Sequence, residues 1–210
     1  MKTVRLLCLL AACILAGCAP QHSGVTFTSS RQTEAIVQDF RHAYLDREPQ
    51  GDYHILLVAD AADEQPPAPI KGPIQPIANA TPRRIMHIHV FWRPLRGLKS
   101  DNPSATNASI DFYVIGDRGE PGAKDVIHYQ GTAFVALALT PTDIEAQIQN
   151  GLMVPRGGVG AMSDALGRCK VEGAVFPHRN RQRVRELLDE VRAAGNGGFT
   201  DETQARSVLR

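Results

Sequence analysis

The chain has 210 residues, of which 43% are hydrophobic, 21% charged and 6% aromatic, a globular composition with room for one core of ordinary size. Its 14 prolines and 18 glycines follow no period, which excludes collagen-like and simple repeat architectures. A formal charge of +1 supplies no global field for nucleic acid, and no acidic tail stands out.

Met1-Lys2-Thr3-Val4-Arg5 leads into Leu6 to Leu15 without a charge, then into Ala16-Gly17-Cys18. A basic start, a short apolar run and small residues before a cut are the parts of a secretory signal peptide, here residues 1–17. The run is about half of the ~20 residues a bilayer-spanning helix needs, so it is not read as a permanent anchor. Leu15-Ala16-Gly17-Cys18 resembles the lipobox of bacterial lipoproteins. The resemblance implies cleavage before Cys18, a diacylglycerol thioether on its sulfur and an acyl group on its new amine. With Ala19 rather than aspartate following, it also implies passage to the outer membrane, facing the periplasm. One acyl chain holds a protein marginally, whereas two or three hold it stably. Processing removes Lys2 and Arg5 and leaves a net charge of −1, so no electrostatic second anchor is called for. Cys8 and Cys13 leave with the signal and Cys18 is consumed. Cys169 is then without an intramolecular disulfide partner and reads as a small buried side chain rather than a nucleophile.

Residues 18–30 are small and polar and read as a lipidated tether, with a single domain over 31–195 and a flexible tail over 196–210. Ser30 and Thr33 are candidate caps for a helix over 31–47, because Ile36, Val37, Phe40, Ala43 and Tyr44 form one helical stripe. Tyr53 to Ala59 is a short apolar run, predicted to be a strand buried on both faces, with His54 buried and separate from any site. Residues 60–84 carry six prolines and read as an extended connection. Three segments with period-2 character, 84–93, 109–116 and 126–139, are separated by turn chemistry and predict an antiparallel meander. Thr140-Pro141 and Asn150-Gly151 bracket a predicted helix. A glycine-rich loop (151–168), a strand (169–176) and a helix over 180–194 with Val184, Leu187, Leu188 and Val191 on one face complete the chain. The expected fold is α+β: an antiparallel sheet of four or five strands with helices mainly on one face.

Alternation along the central strands sorts their side chains onto two faces. Met86, Ile88, Val90 and Trp92 form the core set, with Trp92 expected to be its largest buried group. The other face gathers His87, His89, Asp111, Tyr113, His128 and Gln130. Three imidazoles, two from a His-x-His on one strand and one from a nearby strand, make a workable zinc arrangement with a fourth position for water. The set of His87, His89 and His128 resembles the three-histidine zinc site of the alpha carbonic anhydrases, and the rest of the chain does not match that family. The plainer reading of the same residues is a half-solvated polar face that needs no cofactor.

Other features are thinner. Gly158-Val-Gly160 lacks the third glycine of a dinucleotide fingerprint, and Ser163 has no nucleophile frame around it. His178 to Arg185 is a basic cluster at a helix start, where Arg179, Arg181 and Arg183 are candidates for an anion or lipid headgroup. Interleaved acids favour a solvated face instead. The functional expectation is a membrane-anchored periplasmic lipoprotein acting as a binding or assembly module, with an envelope protein as partner and no nucleic acid. The rival expectation is a zinc-dependent enzyme.

Overall fold

A computed structural model describes residues 22–60, 82–93, 105–117, 124–140, 143–160, 162 and 164–196. The expected signal peptide, Cys18, nearly all of the proline-rich connection, Ser163 and the expected tail from residue 197 lie outside the described residues. Ten strands and one helix are described: β1 (Ser23–Ser29), β2 (Ile36–Phe40), β3 (His42–Arg47), β4 (Tyr53–Ala59), β5 (Arg83–Val90), β6 (Ala108–Asp117), β7 (Lys124–Leu139), β8 (Ile144–Val159), β9 (Cys169–Val175), β10 (His178–Arg179) and α1 (Arg181–Asn196). They form one mixed sheet in the order β10-β3-β4-β5-β6-β7-β8-β9-β1-β2, curled into a half-barrel. All pairings are antiparallel except that of β10 with β3. β2 ends the order on one side and β3 stands next to last on the other, yet only Arg41 separates them in sequence. The chain itself therefore carries the sheet from one end round to the other.

This architecture overturns the α+β expectation. The protein is mostly β, with α1 the one helix among the described residues. The segment expected to be a helix over 31–47 is β2 and β3, pairing Thr26 with Val37 on one side and Leu45 with Ile55 on the other. Its apolar residues satisfy a helical stripe and a strand alternation alike. The β-branched and aromatic residues Ile36, Val37, Phe40 and Tyr44 suit a pleated surface, and long-range pairing with β1 and β4 decides between them. The helix expected after Thr140-Pro141 is β8, in which Ala146 and Ile148 are buried and alternate with polar Glu145, Gln147 and Gln149. Asn150-Gly151, taken as a helix stop, is an irregularity in the β8–β9 ladder, and Asn150 holds φ 51° there. Asparagine tolerates that left-handed backbone better than most residues. The expected tether is short, because 23–29 is already β1.

The concave face holds one continuous core drawn from β1 to β9, including Phe27, Leu45, Ile55, Met86, Phe112, Tyr129 and Val171. On the outer face, Val184, Leu187 and Val191 of α1 cover Leu56, Val58, Ile85, Ile115 and Val126. β4 is thus covered on both sides and all seven of its residues are buried, as its unbroken apolar run anticipates. Asn180 begins α1, its side-chain oxygen accepting from the Arg183 N–H at 3.0 Å. Past the end of α1's cover the outer face turns polar.

Candidate functional site: a histidine and carboxylate face

The registers of β4 to β7 decide which side chains meet on that polar surface. His54 lies opposite His89, His87 opposite Asp111, Asp111 opposite Gln130, and Tyr113 opposite His128. The set expected on the non-core face is therefore assembled there, and His54 joins it. The turn between β3 and β4 supplies two more groups. Its backbone closes through Glu48 N–H to Asp52 O at 2.8 Å and Gly51 N–H to Glu48 O at 3.0 Å, with Gly51 at φ 108°. That positive φ is glycine's territory. The turn so formed places Glu48 and Asp52 over the start of β4.

Two hydrogen-bonded groups result. In the first, His54 Nε2 is 2.7 Å from Glu48 Oε1, and His54 Nδ1 is 2.9 Å from His87 Nε2. A carboxylate can only accept, so His54 Nε2 carries a proton and donates it to Glu48. In neutral His54, Nδ1 is then a lone pair that accepts from His87 Nε2–H, and His87 Nδ1 is left as an acceptor. The result is a directed chain of donors ending on a carboxylate. His89 stacks on His54 with centroids 4.4 Å apart and meets Asp52 Oδ2 at 3.2 Å. In the second group, His128 Nε2 donates to Asp111 Oδ1 at 2.8 Å while its ring lies flat on Tyr113, 4.4 Å away and within 2° of parallel.

His87 has the most perturbed imidazole described. Burial, followed by the repulsion of a neighbouring His54 charge, lowers its pKa from 6.5 to about 4, against the raising influence of Asp111. Burial also pushes the Tyr113 hydroxyl up to about 12. At neutral pH the face thus offers a neutral His87 and an un-ionised Tyr113. It can accept or hand on a proton across a few ångströms and can bond a partner's donors.

His87, His89 and His128 share the face, but the structure does not bring them to one point. His128 is two strands from β5 and is engaged with Asp111, while His87 turns to His54 on the other side. Among the described residues, no three His, Cys, Asp or Glu side chains are grouped to hold a metal ion. Arg181 faces Asp46 at 3.6 Å and Arg183 bonds Glu186 at 2.9 Å, while Arg179 is exposed on β10. Acids thus answer two of the three arginines. Cys169 is buried inside the sheet, where burial pushes its thiol up to about 11, the environment of an inert packing group.

Sequence reasoning missed His54, Glu48 and Asp52. His54 shares its parity with Leu56 and Val58, and pairing of β4 with β5 sets it beside His89. The signal was hidden because both faces of β4 are apolar over the rest of its length. Trp92, expected in the core, is 50% exposed. The strand ends at Val90, so alternation no longer sets the direction of the residues beyond it. Compared with family models, with curated proteins and with solved structures, the chain shows no match.

Proposed function

We propose that the chain is a lipid-anchored protein of the bacterial envelope, held through Cys18 in the outer membrane and facing the periplasm. On this reading it works as a binding or assembly module through the outer face of its sheet, toward another envelope protein. The observation that carries the reading is the position of β1. It begins at Ser23, so a lipidated Cys18 would stand four residues from a rigid sheet. A rigid sheet held near a membrane suits a module that presents a fixed surface. The polar face is such a surface, with imidazoles and carboxylates oriented by bonds to one another.

The experiment has two arms. Cells fed labelled palmitate should incorporate it into the wild-type chain and not into Cys18→Ser, which should stay uncleaved or soluble. A photo-crosslinking residue at Gln130, on the polar face, should give a discrete adduct in intact envelopes, while one at exposed Glu172 on β9 should not. Absence of label from the wild type would remove the anchor. Equal adducts at both positions would remove the assignment of the face.

A further inference from the structure

The side of the sheet that β1 runs away from also carries an exposed aromatic pair. Antiparallel pairing makes β1, β4, β6 and β8 run away from this side and β2, β3, β5, β7 and β9 run toward it, with β2 leading through Arg41 straight into β3. Phe91 and Trp92 follow β5 here, 48% and 50% exposed, and Arg93 after them is exposed as well. The pair is not loose. Phe91 N–H donates to Asn107 O at 2.9 Å, and the Asn107 side-chain amide donates to Trp92 O at 2.9 Å and to Val135 O at 2.9 Å. Asn107 is itself buried. Trp92 meets Phe134 edge-on at 6.3 Å, and Phe91 meets His89 edge-on at 4.6 Å.

We propose that this end of the sheet seats on the interfacial layer of a lipid bilayer, with Phe91 and Trp92 entering the headgroup zone. The inference rests on the lipid anchor proposed above and says which surface that anchor brings down. Large rings fixed half in water have unfavourable hydration, which an interface relieves, and tryptophan in particular favours the zone between headgroup and chain. The reach of the chain fits. Five peptide steps separate Cys18 from Ser23 and span at most about 17 Å, so the acyl chains must enter the membrane close beside the sheet. Charge does not drive the contact. Among the described residues Arg47 and Arg93 are set against Glu48, Asp52 and Asp143 on the same side, so the seating is aromatic and should hardly respond to salt.

Trp92 is the sole tryptophan of the chain, so its fluorescence reports this end alone. The full processed protein is reconstituted in phosphatidylcholine vesicles, with flotation and the mass of the Cys18 peptide measured on the same sample. Seating predicts that emission shifts to the blue, that iodide quenching falls severalfold relative to soluble Cys18→Ser, and that lipids brominated near the headgroup quench strongly. The same responses should persist at high salt. A Val37→Trp, Trp92→Phe protein, with its indole toward the opposite end of the sheet, should stay open to iodide and untouched by brominated lipid. If Cys18 carries no acyl mass and the protein does not float, the anchor reading falls and takes this one with it. If the protein is acylated and floats but Trp92 remains open to iodide, only the seating is overturned. Protection of Trp92 in native envelopes without protection in pure lipid would likewise overturn it, assigning the surface to a protein partner.

Discussion

Lowering the pH should weaken the fold through His87, and the size of the effect follows from its surroundings. Its folded-state pKa is about 4 against 6.5 for a free imidazole, because burial and His54 oppose its charge. As pH falls through 6.5 the unfolded chain takes up a proton that the folded chain refuses until about pH 4. The stability that neutral His87 contributes is therefore intact above 6.5, declines across the window and is gone below about 4. The difference of about 2.5 units at 1.36 kcal/mol each sets an upper bound of about 3 kcal/mol. That is a large share of the ~5–15 kcal/mol typical of a domain. His54, His89, Asp111 and Arg192 also act on this imidazole, so the measurement must isolate it. Urea unfolding of the wild type and of His87→Gln at half-unit steps from pH 7.5 to 4 does so, since glutamine cannot titrate. The wild-type free energy should fall more steeply than the variant's, by as much as ~3 kcal/mol over the window. Parallel curves would refute the argument and place His87 in contact with water.

Gly131 on β7 has no room for a side chain, since a Cβ there would land on the Leu152 carbonyl oxygen. Gly131→Ala should cost ~3 kcal/mol or more by thermal or urea unfolding, because backbone rather than a flexible side chain must move. Asp164 accepts from the Tyr129 hydroxyl at 2.7 Å and the Gly167 N–H at 2.7 Å and meets Arg31 at 3.1 Å. Burial pushes its carboxyl up, yet these partners outweigh it and hold the pKa below the ordinary 3.8. Its contribution is then present above pH 3.8 and lost only as pH drops further, and Asp164→Asn should cost ~2 kcal/mol at neutral pH. Asn107→Ala should cost ~3 kcal/mol and shift Trp92 emission even without lipid, because the buried amide that fixes the Trp92 carbonyl is gone.

The central strands were legible because three segments with clean alternation came in succession. Their parity correctly separated Met86, Ile88 and Val90 from His87 and His89, and their short connections implied the pairing that sets Asp111 between His87 and Gln130. The fold class was not legible. Residues 36–47 satisfy both a 3.6-residue and a 2-residue period, and what selects the strand is the pair of neighbours β1 and β4, one of them read from sequence as tether. In 144–150 the alternation of Ala146 and Ile148 with Gln147 and Gln149 was present, but Thr140-Pro141 and Asn150-Gly151 carry capping chemistry that also serves a turn and a bulge. His54 was unreadable as a site residue because a buried strand hides the parity of its one polar member.

The two places where sorting by polarity failed, His54 and Trp92, are neighbours in the fold. His54 stacks on His89, His89 meets Phe91 edge-on, and Phe91 adjoins Trp92. A buried polar residue and an exposed aromatic pair both depart from what stability alone selects, and such departures concentrate where function is. Their contiguity has a physical consequence on the seating reading. A bilayer beside Phe91 lowers the local dielectric and disfavours any unpaired charge within a ring's width. Asp52 and Glu48 answer this directly, because neither carboxylate is unpartnered: Asp52 is bonded to His89 and Glu48 to His54. His87, neutral down to about pH 4, needs no such partner. The turn at Gly51 therefore does two jobs with one backbone geometry: it caps the histidine stack and leaves neither carboxylate unbonded on the side where the aromatic pair would enter lipid.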